Sequence, residues 1–191
     1  ACWRRGRMGK MALNKYTQAD FDSFPVVNGI RQCPSGDYSG IKSFGGRCSF
    51  GEECSFGEWC SFGEECSFGK VCSFGEWCSF GEECSFGEEC SFGGRCSFGE
   101  GCSFGEWCSF GEECSFGEGC SFGEGCSVFG KAFTSLTQAQ LPGLYTVKKW
   151  TLADGGALYE AGCFHGTYEE AIARAGDRAA YRKAIEFLAS L

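Results

Sequence analysis

Cys48-Ser49-Phe50-Gly51-Glu52-Glu53 opens a run in which the unit C-S-F-G-E-x recurs every six residues, without insertion, as far as Gly125. A degenerate copy, Lys42-Ser43-Phe44-Gly45-Gly46-Arg47, precedes the run. Cys126-Ser127-Val128-Phe129-Gly130 follows it with one extra residue. Self-similarity at a fixed short period is the signature of a solenoid, in which each unit buries its apolar side only against its neighbours. Side chains two apart in a strand share a face. Cys and Phe therefore both point inward, and the Ser between them points out. Gly follows Phe at the corner, where a residue without Cβ accepts unusual backbone angles. Glu and the variable residue then face water. The extra residue at the end breaks the register and is expected to stop the stack.

Framed from Phe, the unit F-G-E-x-C-S resembles the hexapeptide signature of left-handed β-helices. Phe stands in the aliphatic place and Cys in the small one. The resemblance covers roughly half the chain and implies a mainly β fold. Its core would be a left-handed triangular β-helix, with three hexads in each 18-residue coil. The 84 residues from Lys42 to Gly125 make about four to five coils. At a strand spacing of about 4.8 Å the prism stands about 22 Å tall. A strict period of six argues against a pentapeptide solenoid. A flattened coil of two hexads would crowd the Phe side chains in a thin core. The expected division is an N-terminal tail and capping segment (1–41), the β-helix (42–130) and a small α+β module (131–191).

Seventeen cysteines would ordinarily point to a secreted disulfide scaffold. Fourteen of them, Cys48 to Cys126, fall at every sixth residue, which fits neither the uneven spacing of disulfide frameworks nor the close pairs of zinc sites. In this slot Cys acts as a small hydrophobe. Stacked in parallel, the cysteines sit farther apart than the roughly 3.8 Å between the Cβ atoms of a relaxed disulfide. Reduced thiols imply a cytoplasmic setting. No apolar run approaches the roughly 18 residues needed to span a bilayer, and no membrane partner is expected. Ala1 to Lys10 is basic but lacks the apolar stretch of a secretory signal. Met8 or Met11 would serve as a start, and Ala1 to Lys10 is left out of the fold.

The net charge of −8 is unevenly spread. Residues 42–130 carry 16 Glu against four Lys or Arg, a balance of −12, while the flanks carry nine acids against 13 bases, a balance of +4. Direct binding of the solenoid to nucleic acid is not expected, because that affinity rests on Lys and Arg at the phosphates.

An 18-residue coil stacks positions 18 apart. One column then holds Glu64, Glu82, Glu100 and Glu118, flanked by Glu65 and Glu83. A second holds Glu52, Lys70, Glu88, Glu106 and Glu124, with Val71 and Trp107 beside them. The third holds Glu58, Glu76, Gly94 and Glu112, with Trp59 over Trp77 and then Arg95. Glutamates about 5 Å apart repel by about 1 kcal/mol at most in water. They read either as a solubilising skin or as a surface for a basic partner. Trp59 and Trp77 read either as an exposed aromatic strip suited to an interface or as a seat for a terminal segment. In the same slot Gly101, Gly119 and Gly125 suggest that the C-terminal module packs closely on the last coils. The candidate partner surface is Trp59, Trp77, Trp107, Glu64, Glu65, Glu82, Glu83, Glu100 and Glu118.

Before the repeat, Thr17 to Asp20 starts a short helix that Pro25 stops. Val26 to Arg31 reads as a hairpin turning at Asn28-Gly29, and Cys33 to Asp37 as a loop. Together they are expected to cap the first coil, whose open edge would otherwise invite aggregation. After the repeat, Leu144 to Leu152 and Ala157 to Phe164 read as two strands. Thr167 and Glu170 form a capping box for a helix over Tyr168 to Ala175. Gly176 ends it, Asp177 caps a second helix, and Tyr181, Ala184, Ile185 and Leu188 form its apolar face. The module reads as ββαα.

Enzymes of the resembled fold, acyltransferases and a class of carbonic anhydrases, depend on histidines as general base or metal ligands. The repeat holds none, and the one histidine of the chain is His165. No catalytic residue, cofactor or metal is therefore assigned. The leading expectation is a non-enzymatic binding or scaffold protein whose partner is a protein or a second copy of itself. The alternative is a nucleic-acid mimic that inhibits a DNA-binding protein. An atypical hexapeptide-repeat acyltransferase ranks below both. An ice-binding surface is disfavoured because the repeat contains no Thr.

Overall fold

The computed structural model describes residues 13–139, 146–161 and 164–191. The expectations for Ala1 to Lys10, for Leu144 and Tyr145, and for Gly162 and Cys163 lie outside the described residues.

The chain enters through α1 (Gln18–Ser23). Thr17 Oγ1 accepts a hydrogen bond from the Asp20 amide at 3.3 Å, and the Thr17 amide donates to the Asp20 carboxylate at 2.8 Å. This reciprocal pair satisfies two of the amides that a helix start leaves unbonded. Strands β1 (Val26–Val27) and β2 (Ile30–Cys33) form a hairpin. Asn28 and Gly29 turn it with φ of 52° and 80°, the two left-handed residues of a type I′ turn. Strand β2 pairs in parallel with β3 (Cys48–Phe50), so the hairpin covers the first coil edge with its own backbone.

From β3 onward each Ser-Phe pair is a strand, spaced six residues apart. They run from β4 (Ser55–Phe56) to β15 (Ser121–Phe122), and β16 (Ser127–Val128) is the last. Every third strand pairs in parallel, in register, with an interval of 18 residues (Ser91 with Ser73, Phe92 with Phe74). The result is a three-sided β-solenoid of about five turns. Its faces are β3-β6-β9-β12-β15, β4-β7-β10-β13-β16 and β5-β8-β11-β14.

The Phe rings fill its axis. Within a column they lie parallel, as Phe68 and Phe86 do at 4.9 Å and 2°. Between columns they meet edge to face, as Phe68 and Phe74 do at 5.0 Å and 87°. Both are favourable arrangements of ring quadrupoles, so Phe suits this core as well as an aliphatic residue would. The N-terminal segment adds a ring to each column: Phe21 on Phe50, Tyr38 on Phe56 and Phe44 on Phe62.

The corner differs from expectation. In the regular run the Gly after Phe, from Gly51 to Gly123, is not left-handed; Gly45 of the degenerate first copy is, at φ 67°. The Gly of the run is required by close approach: a Cβ on Gly75 would lie 2.6 Å from Glu58 N and 2.7 Å from Gly57 C in the preceding coil. The left-handed residue is the variable one, at φ 57° in Glu53, 60° in Trp59 and 61° in Val71.

The register ends where the extra residue falls. Val128 still pairs with Phe110. Phe129 and Gly130 then turn left-handed, and β17 (Lys131–Ala139) runs back antiparallel to β16. Strands β18 (Val147–Leu152), β19 (Ala157–Ala161) and β20 (Phe164–Gly166) continue the same sheet. The C-terminal part thus has four strands where the sequence suggested two. They extend one face of the solenoid, and Phe133 and Trp150 join its core. Helix α2 (Tyr168–Ala175) carries the expected Thr167–Glu170 capping box. Helix α3 (Ala179–Ala189) is preceded by Arg178, not Asp177, and has no side-chain cap. Its Ala184, Ile185 and Leu188 are buried against Val147 and Tyr159. Among the described residues, no helix is long and apolar enough to cross a membrane.

Candidate partner-binding surface

The 18-residue coil sorts the candidate residues into columns along three corners. Trp59 and Trp77 are brought together, with rings parallel at 4.8 Å and 3°. They remain 60% and 39% exposed, so among the described residues no terminal segment seats on them. Arg95 continues the column. Its guanidinium lies 4.7 Å from the Trp77 ring centroid, and its Nε donates to Glu113 Oε2 at 2.7 Å. The corner therefore carries a linked series: indole, indole, guanidinium, carboxylate. Each side chain is projected by a left-handed residue at the same place in the turn, and the Trp59, Trp77 and Arg95 amides each donate a hydrogen bond to the next coil, as Trp59 N does to Glu76 O at 2.9 Å.

Glu64, Glu82, Glu100 and Glu118 share another column, all exposed, with Glu65 and Glu83 beside them. Glu65 is bridged by Arg47 at 2.8 Å. Lys70 likewise bridges Glu88 at 2.8 Å on the third corner. Such exposed pairs contribute little to stability, but they offset repulsion in columns that would otherwise be all acid. Trp107 stands apart from the other two tryptophans. It lies over Gly125, where a Cβ would meet its ring at 2.4 Å. The glycine there makes room for the indole, not for the C-terminal module. Gly119 does face that module: with Leu136 and Gln138 it lines a groove of about 560 Å³.

The sequence reading did not assign Arg95 or Glu113 to the surface. Their 18-residue separation could have identified the pair. Arg174 and Arg178, which approach the same corner from α2 and the turn after it, carry no repeat signal.

All fifteen cysteines among the described residues are free. Eleven in succession, Cys66 to Cys126, donate their thiol proton to a glycine carbonyl 21 residues earlier, at 3.3 to 3.5 Å. The hydrogen bond of Cys72 to the stacked Cys54 thiol, and then burial, push its pKa up to about 12. Cys90 and Cys108, in the same column, are pushed up to about 12 as well, whereas hydrogen bonds accepted from stacked thiols pull Cys66, Cys78 and Cys102 down.

Five stretches, 43–57, 55–87, 89–105, 102–117 and 107–127, match an RNA-binding, Nab2-type zinc-finger family. They span residues 43–87 and 89–127, less than half of the 191. No curated protein and no solved structure matches the chain. The zinc ion that a CCCH finger implies does not fit these residues. Such a site needs three thiolates and an imidazole converging on one point. The matched span contains no His, and its cysteines are spread along three columns with their protons on carbonyls. Among the described residues, no group of three or more His, Cys, Asp or Glu could hold a metal.

Proposed function

We propose that this chain is a non-enzymatic scaffold that presents its solenoid corner to a basic protein segment. The observation that carries this reading is the parallel, solvent-exposed pair Trp59 and Trp77 on a rigid ladder. Tryptophan left in the open on a fixed backbone offers large contact area at little entropic cost. Arg95 on Trp77 illustrates the chemistry such a ring accepts: a guanidinium over its face. Glu58, Glu76 and Glu112 stand one residue before Trp59, Trp77 and Glu113 in the same turns, and they favour a cationic partner over an acidic one.

The test is affinity capture with the purified chain at low and high salt, comparing it with the Trp59→Ala/Trp77→Ala variant. Both side chains are exposed, so the variant should fold. Basic proteins retained by the parent chain and lost with the variant support the reading. An identical set captured by both would overturn it. Displacement of the captured proteins by added DNA would move the assignment to nucleic-acid mimicry, and recovery of the chain alone would point to self-association.

A further inference from the structure

Arg95 belongs to two features at once. On one side it closes the tryptophan strip. On the other it lines a groove of about 440 Å³ between the solenoid corner and helices α2 and α3, within the range typical of small-molecule sites. The apolar lining comes from Ala171, Ala175 and Ile185, all buried, with the Phe164 and Tyr181 rings alongside. Arg174 and Arg178 supply the remaining charge.

Two of the three guanidiniums are anchored. Arg178 donates from Nε to Ala175 O at 3.2 Å and from Nη2 to Arg174 O, and its Cζ lies 5.4 Å from the Tyr181 ring centroid. Arg95 is held by Glu113 and Trp77. An arginine fixed along one edge presents its other donors in a set plane, which is the arrangement that recognises an oxyanion at least entropic cost. Glu113 also lines the groove and answers the charge of Arg95. Glu76 and Glu112 lie on the outer side of Arg95. The excess positive charge therefore sits at Arg174 and Arg178, next to the apolar lining.

We propose that this groove binds a small organic oxyanion, a carboxylate, sulfonate or phosphate carried on a planar apolar body. The oxyanion meets Arg174 and Arg178, and the body lies against Ala175, Ile185 and the Tyr181 ring.

The test is a fluorescence titration of the full chain with 8-anilinonaphthalene-1-sulfonate and with its uncharged counterpart N-phenyl-1-naphthylamine. One saturable site for the sulfonate is expected, with competition by phenyl phosphate. Arg174→Gln removes one charge-assisted hydrogen bond and should weaken sulfonate binding about tenfold; the uncharged probe forgoes the contacts to both Arg174 and Arg178 and should bind weaker still. Glu113→Gln, which removes the carboxylate facing the groove, should tighten it several-fold. Arg174 makes no side-chain bond that supports the helix end, so its variant isolates recognition from folding in a way that Arg178→Gln does not. Absence of a saturable site, equal affinity for both probes, or indifference to Arg174→Gln would overturn the proposal.

Discussion

The thiol of Cys90 donates to the carbonyl oxygen of Gly69 in the preceding coil, 3.4 Å away. The backbone bonds between coils take other carbonyls: Ser91 N reaches Cys72 O, Gly87 N reaches Phe68 O and Glu89 N reaches Glu106 O. The Gly carbonyl is left to the thiol. This gives the cysteine slot a reason beyond its size, since alanine or valine would fill the space without supplying a donor. Cys90→Ala should lower unfolding stability by about 1–3 kcal/mol, the cost of a buried acceptor left unpaired. Ser91→Ala, one residue away on the exposed side, should stay within about 0.5 kcal/mol. Urea unfolding midpoints of the two variants measure the difference. Equal effects would mean that the thiol bond contributes nothing beyond packing.

One column of these thiols, Cys72, Cys90, Cys108 and Cys126, is raised throughout and makes stability depend on alkaline pH. The bond to Cys54, and then burial, push the Cys72 thiol up to about 12. Cys126 is raised by its bond to Cys108 and by burial. An unfolded thiol titrates near ~8.5. Above that pH the unfolded chain loses protons that the folded chain keeps, so the unfolded state gains. The contribution of the raised column, Cys72, Cys90, Cys108 and Cys126, should therefore be fully present below about pH 8.5 and be lost between about 8.5 and 12, by up to about 1.4 kcal/mol per pH unit for each such thiol. Urea midpoints measured from pH 6 to 11 under reducing conditions test this. A flat profile through pH 10 would contradict it.

The corner carries two opposite sensitivities. Gly75 sits where a Cβ would strike the backbone of Gly57 and Glu58 at under 3.0 Å, and backbone cannot yield as a flexible side chain can. Gly75→Ala should cost more than about 3 kcal/mol, beyond ordinary surface substitutions. Val71, two residues after the corresponding Gly69, is exposed at φ 61°, a region that β-branched residues avoid. Val71→Asn should stabilise by about 0.5–1 kcal/mol, because Asn tolerates the left-handed conformation. Thermal unfolding of both variants decides whether close approach and left-handedness are separated along the turn in this way.

The division of labour in that turn also marks the limit of what the sequence makes legible. Period-two alternation places Cys and Phe inward, and an 18-residue coil stacks Trp59 on Trp77. Both follow from arithmetic on a regular backbone. The clearance at Gly75 depends on how closely two coils approach in space, so local reasoning credits the glycine with unusual dihedrals instead. Strand β17 is hidden because Lys131 to Ala139 departs from the repeat just where the register breaks. Its strand character comes from pairing with β16 and β18. The groove beside Arg95 depends on how α2 and α3 dock against the corner, which no spacing in the chain encodes.

The last coil edge is closed by side chains. Within the repeat, each Cys carbonyl accepts from the serine amide 19 residues later. For Cys114 the Lys148 ammonium takes that place; the Phe carbonyls accept from a glycine amide 19 residues later, and for Phe116 the Gln138 side-chain amide substitutes at 2.8 Å. Lys148 is buried and also bonded to Glu160 at 2.8 Å, and the second oxygen of Glu160 accepts from Trp150 Nε1 at 3.0 Å. Lys148→Met would leave the Glu160 charge buried without its cation and the Cys114 carbonyl without a donor. Breaking a buried pair from one side costs about 3–5 kcal/mol. Lys148→Met/Glu160→Gln should recover much of this, since Gln keeps an acceptor for Trp150 and removes the stranded charge. Trp150 is fully buried, and its fluorescence during urea unfolding reports the cap. A single variant as stable as the parent would mean that the edge carbonyls are satisfied without the lysine. A double variant no better than the single one would place the cost in the carbonyl of Cys114, not in the buried carboxylate.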